Sequence, residues 1–218
     1  MKKIHNWSLP DYDQHYEKWM RENGETSYQR LQREFALARV KQFRRAIDIG
    51  GNIGFWSRDF CDHFEDVQIF EPDRSNLECL RENIKDSNNY TIHEVGLSDR
   101  AGELTFYVSP TTSGGHSVFR EQVFEEIVHP VTIDVRTLDE YAFTNVDLIK
   151  IDTQGSELNI LRGAQDTLTR ESPILNVEIE HKTDVQKTNG KLIHSYLEGL
   201  GYREIGRQRR KEVVFAKQ

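Results

Sequence analysis

The chain has only two cysteines, Cys61 and Cys79, with no C-x-x-C pair and no histidine at zinc-ligand spacing. That excludes a zinc site or a disulfide framework, and both read as reduced packing residues. No stretch approaches the roughly 20 apolar residues that a membrane helix needs. After Lys2 and Lys3 come His5, Asn6, Asp11, Asp13 and Glu17, not the apolar core of a secretory signal. A cytoplasmic protein with no membrane partner is the expectation. Excess positive charge is missing too, since 29 Lys and Arg face 36 Asp and Glu for a formal net charge of -7. This disfavours a broad phosphate-binding surface but not a local basic patch. There is no internal repeat and no low-complexity tract. What remains is 218 residues, 36% hydrophobic and 10% aromatic, with a mean hydropathy of -0.71. At about 150 residues per domain this is one globular domain, or one domain with an appendage, under a polar surface.

Periodicity organises the chain. Tyr12, Tyr16, Trp19 and Met20 recur at helical spacing, as do Leu31, Phe35 and Ala38 after Asn23-Gly24, which predicts two helices within an amino-terminal segment, residues 1–43. An α/β domain over residues 44–218 follows. A strand at Ala46 to Ile49 runs into Gly50-Gly51-Asn52-Ile53-Gly54 and a helix carrying Trp56, Phe60 and Phe64. A strand at Val67 to Phe70, a helix with Leu77, Leu80 and Ile84, and a strand at Tyr90 to Val95 continue the series. Such a β-α-β-α-β order calls for a right-handed parallel sheet. Residues 103–135 lose the helical rhythm and read as an inserted β hairpin. The α/β order resumes with a strand at Val146 to Ile151, a helix with Leu158, Leu161 and Leu168, a strand at Ile174 to Ile179, and a helix with Leu192, Tyr196 and Leu200. Strands near 202–205 and 213–216 form a terminal hairpin.

The glycine turn departs from the dinucleotide pattern G-x-G-x-x-G, because it spaces Gly50, Asn52 and Gly54 behind an acid, Asp48. A carboxylate there suits an ammonium or sulfonium better than a pyrophosphate. Glu71, after the second strand, is placed to accept from both hydroxyls of a ribose. Together Asp48, Gly50, Asn52, Gly54 and Glu71 point to S-adenosylmethionine as cofactor, with S-adenosylhomocysteine as product. The glycines alone would also serve a tight strand-to-helix connection.

IDIGGNIGFWS (47–57), FEPDRSNLECLRENI (70–84), GLSDRAGELTFYV (96–108), TLDEY (137–141) and LIKIDTQGSELNILRGA (148–164) resemble, in order, the motifs of the FkbM family of class I methyltransferases. The resemblance implies a Rossmann-like, mostly parallel seven-stranded sheet with a terminal antiparallel strand. It also implies O-methylation of a hydroxyl on a saccharide or small metabolite. One departure stands out: Gln154 occupies the position where the family has a glutamate.

Methyl transfer from a sulfonium needs alignment and removal of a proton from the acceptor, not a covalent nucleophile. Asp152, at the end of the fourth strand, is the candidate base or substrate-orienting group and a cofactor contact; capping the next helix is its alternative. Glu157 repeats the family's last acid but also suits a helix first turn. Glu178 and Glu180 share one face of a strand that ends beside Asp152, with His181 next to them. These three are candidates for the acceptor side, His181 as a catalytic group. His116 lies in a Gly/Ser loop similar to a segment of the family, where an imidazole can accept a proton near neutrality and Ser117 can bind substrate. Ser98 and Asp99 follow the third strand, where this fold contacts adenine. No metal site is expected, although Asp152 with Glu178 or Glu180 has ligand chemistry for a divalent ion. Arg207-Gln208-Arg209-Arg210-Lys211 reads as a solvated hairpin tip, with nucleic acid an unlikely partner. The aromatic amino-terminal segment packs on the sheet or closes over the substrate as a lid. Two other functions compete, an RNA or nucleotide methyltransferase and a binding module that keeps the nucleoside pocket without catalysis.

Overall fold

A computed structural model describes residues 1–24, 28–123, 125, 128–209 and 211–217. Strands β1 (Lys2–Ile4) and β2 (Trp7–Leu9) pair antiparallel, and α1 (His15–Asn23) and α2 (Arg30–Leu37) follow. The two helices are as expected, but the hairpin before them is not. Its three-residue strands are too short to register an alternation, and Tyr12, whose spacing suggested helix, precedes α1.

Next come β3 (Arg45–Ile49), α3 (Phe55–His63), β4 (Asp66–Phe70), α4 (Arg74–Asn83) and β5 (Tyr90–His93). The insertion contains β6 (Gly96–Leu97), β7 (Gly102–Val108) and β8 (His129–Arg136). β7 and β8 are the antiparallel pair expected over residues 103–135, and β6, just before that range, extends it to a three-stranded sheet in the order β6-β8-β7. The remainder is β9 (Val146–Ile151), α5 (Glu157–Arg162), α6 (Gln165–Glu171), β10 (Ile174–Glu178), α7 (Asp184–Gly199), β11 (Tyr202–Gln208) and β12 (Glu212–Lys217). The helix expected around Leu158 to Leu168 is broken into α5 and α6. Gly163 packs so closely that a Cβ there would stand 2.0 Å from the Ser98 carbonyl oxygen. Asp139 then restarts the helix by accepting from the Asp166 and Thr167 amides at 3.0 and 2.8 Å.

The main sheet runs β11-β12-β10-β9-β3-β4-β5. Its five strands from β10 to β5 are parallel, and β12 lies antiparallel between β10 and β11. These are the seven strands and antiparallel terminus that the family resemblance implies. β3 reads as an unbroken buried run, Ala46 to Ile49, because both faces of the sheet are covered. On one face Ile47, Ile149 and Val177 pack with α5 and α7 residues such as Leu161 and Leu197. On the other, Ala46, Val67 and Leu148 pack with Trp56, Phe60 and Leu80, and Trp7, Leu9, Tyr16, Met20 and Ala36 join the same cluster. Leu9 and Met20 are fully buried, each worth about 1.5–3 kcal/mol. The amino-terminal segment is therefore built into the core of the sheet. From β3 the chain moves outward to β4 and β5, then crosses back to β9. The crevice at the carboxyl ends of β3 and β9 is the switch point at which open α/β sheets hold ligands.

Candidate active site

Backbone packing dictates the glycine turn. Gly50 has φ +80, and a Cβ on it would lie 2.1 Å from the carbonyl oxygen of Asp152. The amides of Gly50 and Gly51 both donate to the Phe70 carbonyl at 3.0 Å, and that of Asp152 donates to Ile49 at 3.2 Å. Three strand ends are thus tied at the switch point. Asp48 is fully buried below the turn, accepts from Ser57 Oγ at 2.6 Å and pairs with Lys150 Nζ at 3.1 Å. Lys150 Nζ also donates to the Gly50 carbonyl at 2.6 Å. Asp48 is not among the residues lining the cavity above, and neither is Gly54. They build the turn from beneath, whereas Gly50, Gly51, Asn52 and Lys150 face the cavity.

That cavity has a volume of ≈ 480 Å³, the size of a site for a small organic ligand. At one end Glu71 accepts from the Asn52 amide at 2.7 Å and the Asp73 amide at 2.9 Å. Burial raises Glu71 from its ordinary 4.5 to about 7, and these backbone bonds oppose the rise. Beyond it, Phe70, Val95, Leu97, Ile133, Val135 and Ile160 make an apolar slot. Ser98 and Asp99, expected to face adenine, are not part of the lining; Ser98 is buried against Arg136 and Asp99 points to solvent. From this stretch of chain the slot takes Val95 and Leu97, just before them.

The opposite wall is acidic, with Asp152, Glu178 and Glu180 lining the cavity. Gln154 Nε2 donates to Asp152 Oδ1 at 2.9 Å and to Glu178 Oε2 at 2.6 Å. Lys211 donates to Glu178 and lies 3.4 Å from Glu180. Against the cost of burial, Lys150 and Lys211 hold Asp152 below the usual carboxylate range. Burial, then the charge of Asp152, pushes Glu178 well above it. Environments that separate two neighbouring acids in this way divide proton-accepting from proton-holding roles.

Several expected groups are placed elsewhere. Glu157 turns back to bind the loop after β9, accepting from the amides of Thr153 and Gly155 at 3.0 Å each. Ser117 is buried, donates to the Gln154 carbonyl at 2.7 Å and accepts from the Phe119 amide at 3.0 Å. Neither lines the cavity, and His181 is exposed beyond it. His116 does line it, but both ring nitrogens are engaged. Nδ1 accepts from the Ser109 amide at 3.0 Å, so Nε2 carries the proton, directed to Tyr12 Oη at 3.1 Å. Tyr12 then meets Ser75 Oγ at 3.0 Å, and Ser75 donates to Asp73 at 2.5 Å. Burial also holds His116 below the ordinary histidine range. With no lone pair left for a hydroxyl, His116 is a neutral strut, which corrects its expected role as base.

The amino-terminal segment supplies what sequence reasoning did not assign. Asp13 accepts from the Ser113 amide and hydroxyl at 2.7 and 2.8 Å and from the Tyr16 amide at 2.7 Å. It thereby clamps loop 109–117 over the glycine turn, where Asn52 Nδ2 donates to the Ser113 carbonyl at 2.7 Å. Tyr16 and Tyr28 pack edge to face, 4.8 Å apart, and both line the cavity with Phe55. Burial raises both phenols. Lys211 was visible only as part of a basic run. Of that run, Arg207 pairs with Glu204 at 2.7 Å, Arg209 lies over Trp19, and Arg210 is outside the described residues. Among those residues no helix is long and apolar enough to cross a membrane.

Comparison with known proteins agrees with this fold. Residues 48–204 match the family model described as the methyltransferase FkbM domain. The 2-O-methyltransferase NoeI of Sinorhizobium fredii is 27% identical over 165 residues, covering 66% of this chain and 67% of that protein. The crystal structure of methyltransferase FkbM from Methylobacillus flagellatus superposes with a TM-score of 0.53 at 22% identity, over 79% of this chain but 43% of that one. The Streptococcus mutans protein SMU.1697c, solved in complex with SAH, gives a TM-score of 0.56 at 12% identity, over 86% and 96% of the two chains. This chain thus spans under half of the FkbM crystal chain and about two thirds of NoeI.

Proposed function

Because the chain belongs to the FkbM methyltransferase family, we propose that it binds S-adenosylmethionine in the ≈ 480 Å³ cavity and methylates a hydroxyl of a saccharide or small metabolite. One observation carries this reading: a single cavity joins the Glu71 corner and its apolar slot to the acidic wall of Asp152, Glu178 and Glu180. The donor set fits. Glu71 suits ribose hydroxyls, the slot suits a purine, and the acids favour a cationic sulfonium centre. When bound, the cofactor supplies an activated methyl group. The 2-O-methylation for which NoeI is named supports a hydroxyl acceptor.

The chain's own residues then align the acceptor and take its proton. Asp152, held ionised, would orient the acceptor hydroxyl and take up its proton. Tyr16, Tyr28 and Phe55 offer the aromatic surface on which a sugar or metabolite ring rests, and loop 109–117 keeps water out. The carboxylates repel phosphate, which weighs against a nucleic-acid acceptor.

Titration calorimetry with S-adenosylmethionine, S-adenosylhomocysteine and NAD tests the cofactor, and labelled-methyl transfer to a panel of sugars and hydroxylated metabolites tests the acceptor. Binding of both adenosyl ligands but not NAD is expected. Asp152→Asn should keep product affinity within about twofold while turnover falls about 100-fold or more. No adenosyl binding would withdraw the proposal, and near-normal turnover of the variant would remove Asp152 from its role.

A further inference from the structure

Asp152, Glu178 and Glu212 each offer a carboxylate oxygen within 4.8 Å of one another. Three acids so close in a buried wall repel one another unless protons or a cation intervene. The chain places its own cation there. Lys211, in the turn between β11 and β12, donates from Nζ to Glu178 Oε1 and reaches Glu180 Oε1 at 3.4 Å. Although burial opposes its charge, Glu178, Asp152 and Glu180 hold its ammonium above the ordinary lysine range. Of the other ammonium groups nearby, Lys150 is engaged by Asp48 and the Gly50 carbonyl, and the exposed Lys182 reaches only Glu180, at 3.3 Å. Glu212 is tied back by Asn176 Nδ2 at 3.0 Å and Gln29 Nε2 at 3.3 Å.

Gln154 completes the arrangement. Its amide nitrogen bridges Asp152 Oδ1 and Glu178 Oε2, which a carboxylate at this position cannot do without a proton or an added cation. Glu178 therefore has an ammonium on one oxygen and an amide on the other.

We propose that Lys211 is the resident cation of the acid wall: a positioning residue that, with the Gln154 bridge, holds Glu178 beside Asp152 and balances the wall's remaining negative charge in place of a divalent ion. The proposal rests on reading this wall as the acceptor side of the methyl-transfer site. It makes the wall electrostatically complete before any ligand binds, so the acceptor hydroxyl meets a fixed carboxylate instead of recruiting an ion.

The test is Mn²⁺ binding to the 218-residue chain at pH 8, read by electron paramagnetic resonance, with product affinity measured in parallel by calorimetry. Lys211→Ala should take up one Mn²⁺ with a Kd of about 0.1–1 mM, the range of weak oxygen-ligand sites. The wild type and Lys211→Arg should bind at least about tenfold more weakly. Adding Glu178→Gln to Lys211→Ala should abolish the gained site. Unchanged S-adenosylhomocysteine affinity in Lys211→Ala would show that the fold and cofactor corner are intact. Equal Mn²⁺ binding by wild type and Lys211→Ala would overturn the proposal, as would no uptake by a folded Lys211→Ala protein. Failure of every form to bind S-adenosylhomocysteine would instead strike the proposed function, leaving the Mn²⁺ comparison to decide the role of Lys211.

Discussion

If Glu71 holds the ribose as proposed, cofactor affinity should depend on pH in a calculable way. Burial raises it from 4.5 to about 7 in the ligand-free chain. Ribose hydroxyls donate hydrogen bonds that favour the carboxylate, so binding returns the group toward its ordinary value. At pH 5.5 the free chain has about 3% of Glu71 ionised, and at pH 8 about 90%. Linkage then gives an affinity for S-adenosylhomocysteine that rises about 30-fold between these pH values, or about 2 kcal/mol. Calorimetry across pH 5.5–8 reads this directly, and the ligand itself has no group titrating in that window. Glu71→Gln should give weak, pH-independent binding, near the acid limit of the wild type. A flat wild-type profile, or a slope that survives in Glu71→Gln, would refute the assignment. The sign for folding is the reverse. A raised carboxyl contributes stability that is complete below pH 4.5 and is lost as pH climbs through 7, about 3 kcal/mol in all.

Gly50→Ala should destabilise the fold by more than about 2 kcal/mol, because its Cβ meets the Asp152 backbone at a left-handed φ; urea denaturation measures this, and a wild-type midpoint would contradict the packing. Asp13→Asn keeps one acceptor oxygen for three donors and should cost about 1–3 kcal/mol, with faster protease cleavage within loop 109–117. Unchanged cleavage would mean that Asp13 does not clamp the loop.

The fold was legible because the buried parallel strands carry continuous apolar runs, and because Gly50 and Glu71 fall at strand ends where order alone places a ligand. Asp152, Glu178 and Glu180 were legible for the same reason. Other roles depended on direction, which spacing along a chain does not encode. Asp48 and Lys150 are two strands' worth of neighbours in register, Asp48 opposite Lys150, and their pairing turns a presumed ligand carboxylate into a support. Glu157 and His116 point into their own loops because unpaired amides at Thr153, Gly155 and Ser109 require acceptors. The β1–β2 hairpin and Tyr28 were not legible, and Tyr16 was legible only as part of an aromatic helical face, because contacts distant in sequence position them.

The near contact of Gly50 with the Asp152 carbonyl has an architectural corollary. On the proposed reading, the donor turn and the acceptor-side Asp152 sit on adjacent strand ends whose spacing is fixed by backbone packing and the Asp152–Ile49 hydrogen bond, not by side-chain rotamers. Under that proposal, acceptor preference should be tunable through Tyr16 and Tyr28, which belong to a different stretch of chain, without disturbing that alignment. A library built to change what this protein methylates belongs at those tyrosines and should leave the Gly50–Asp152 junction untouched.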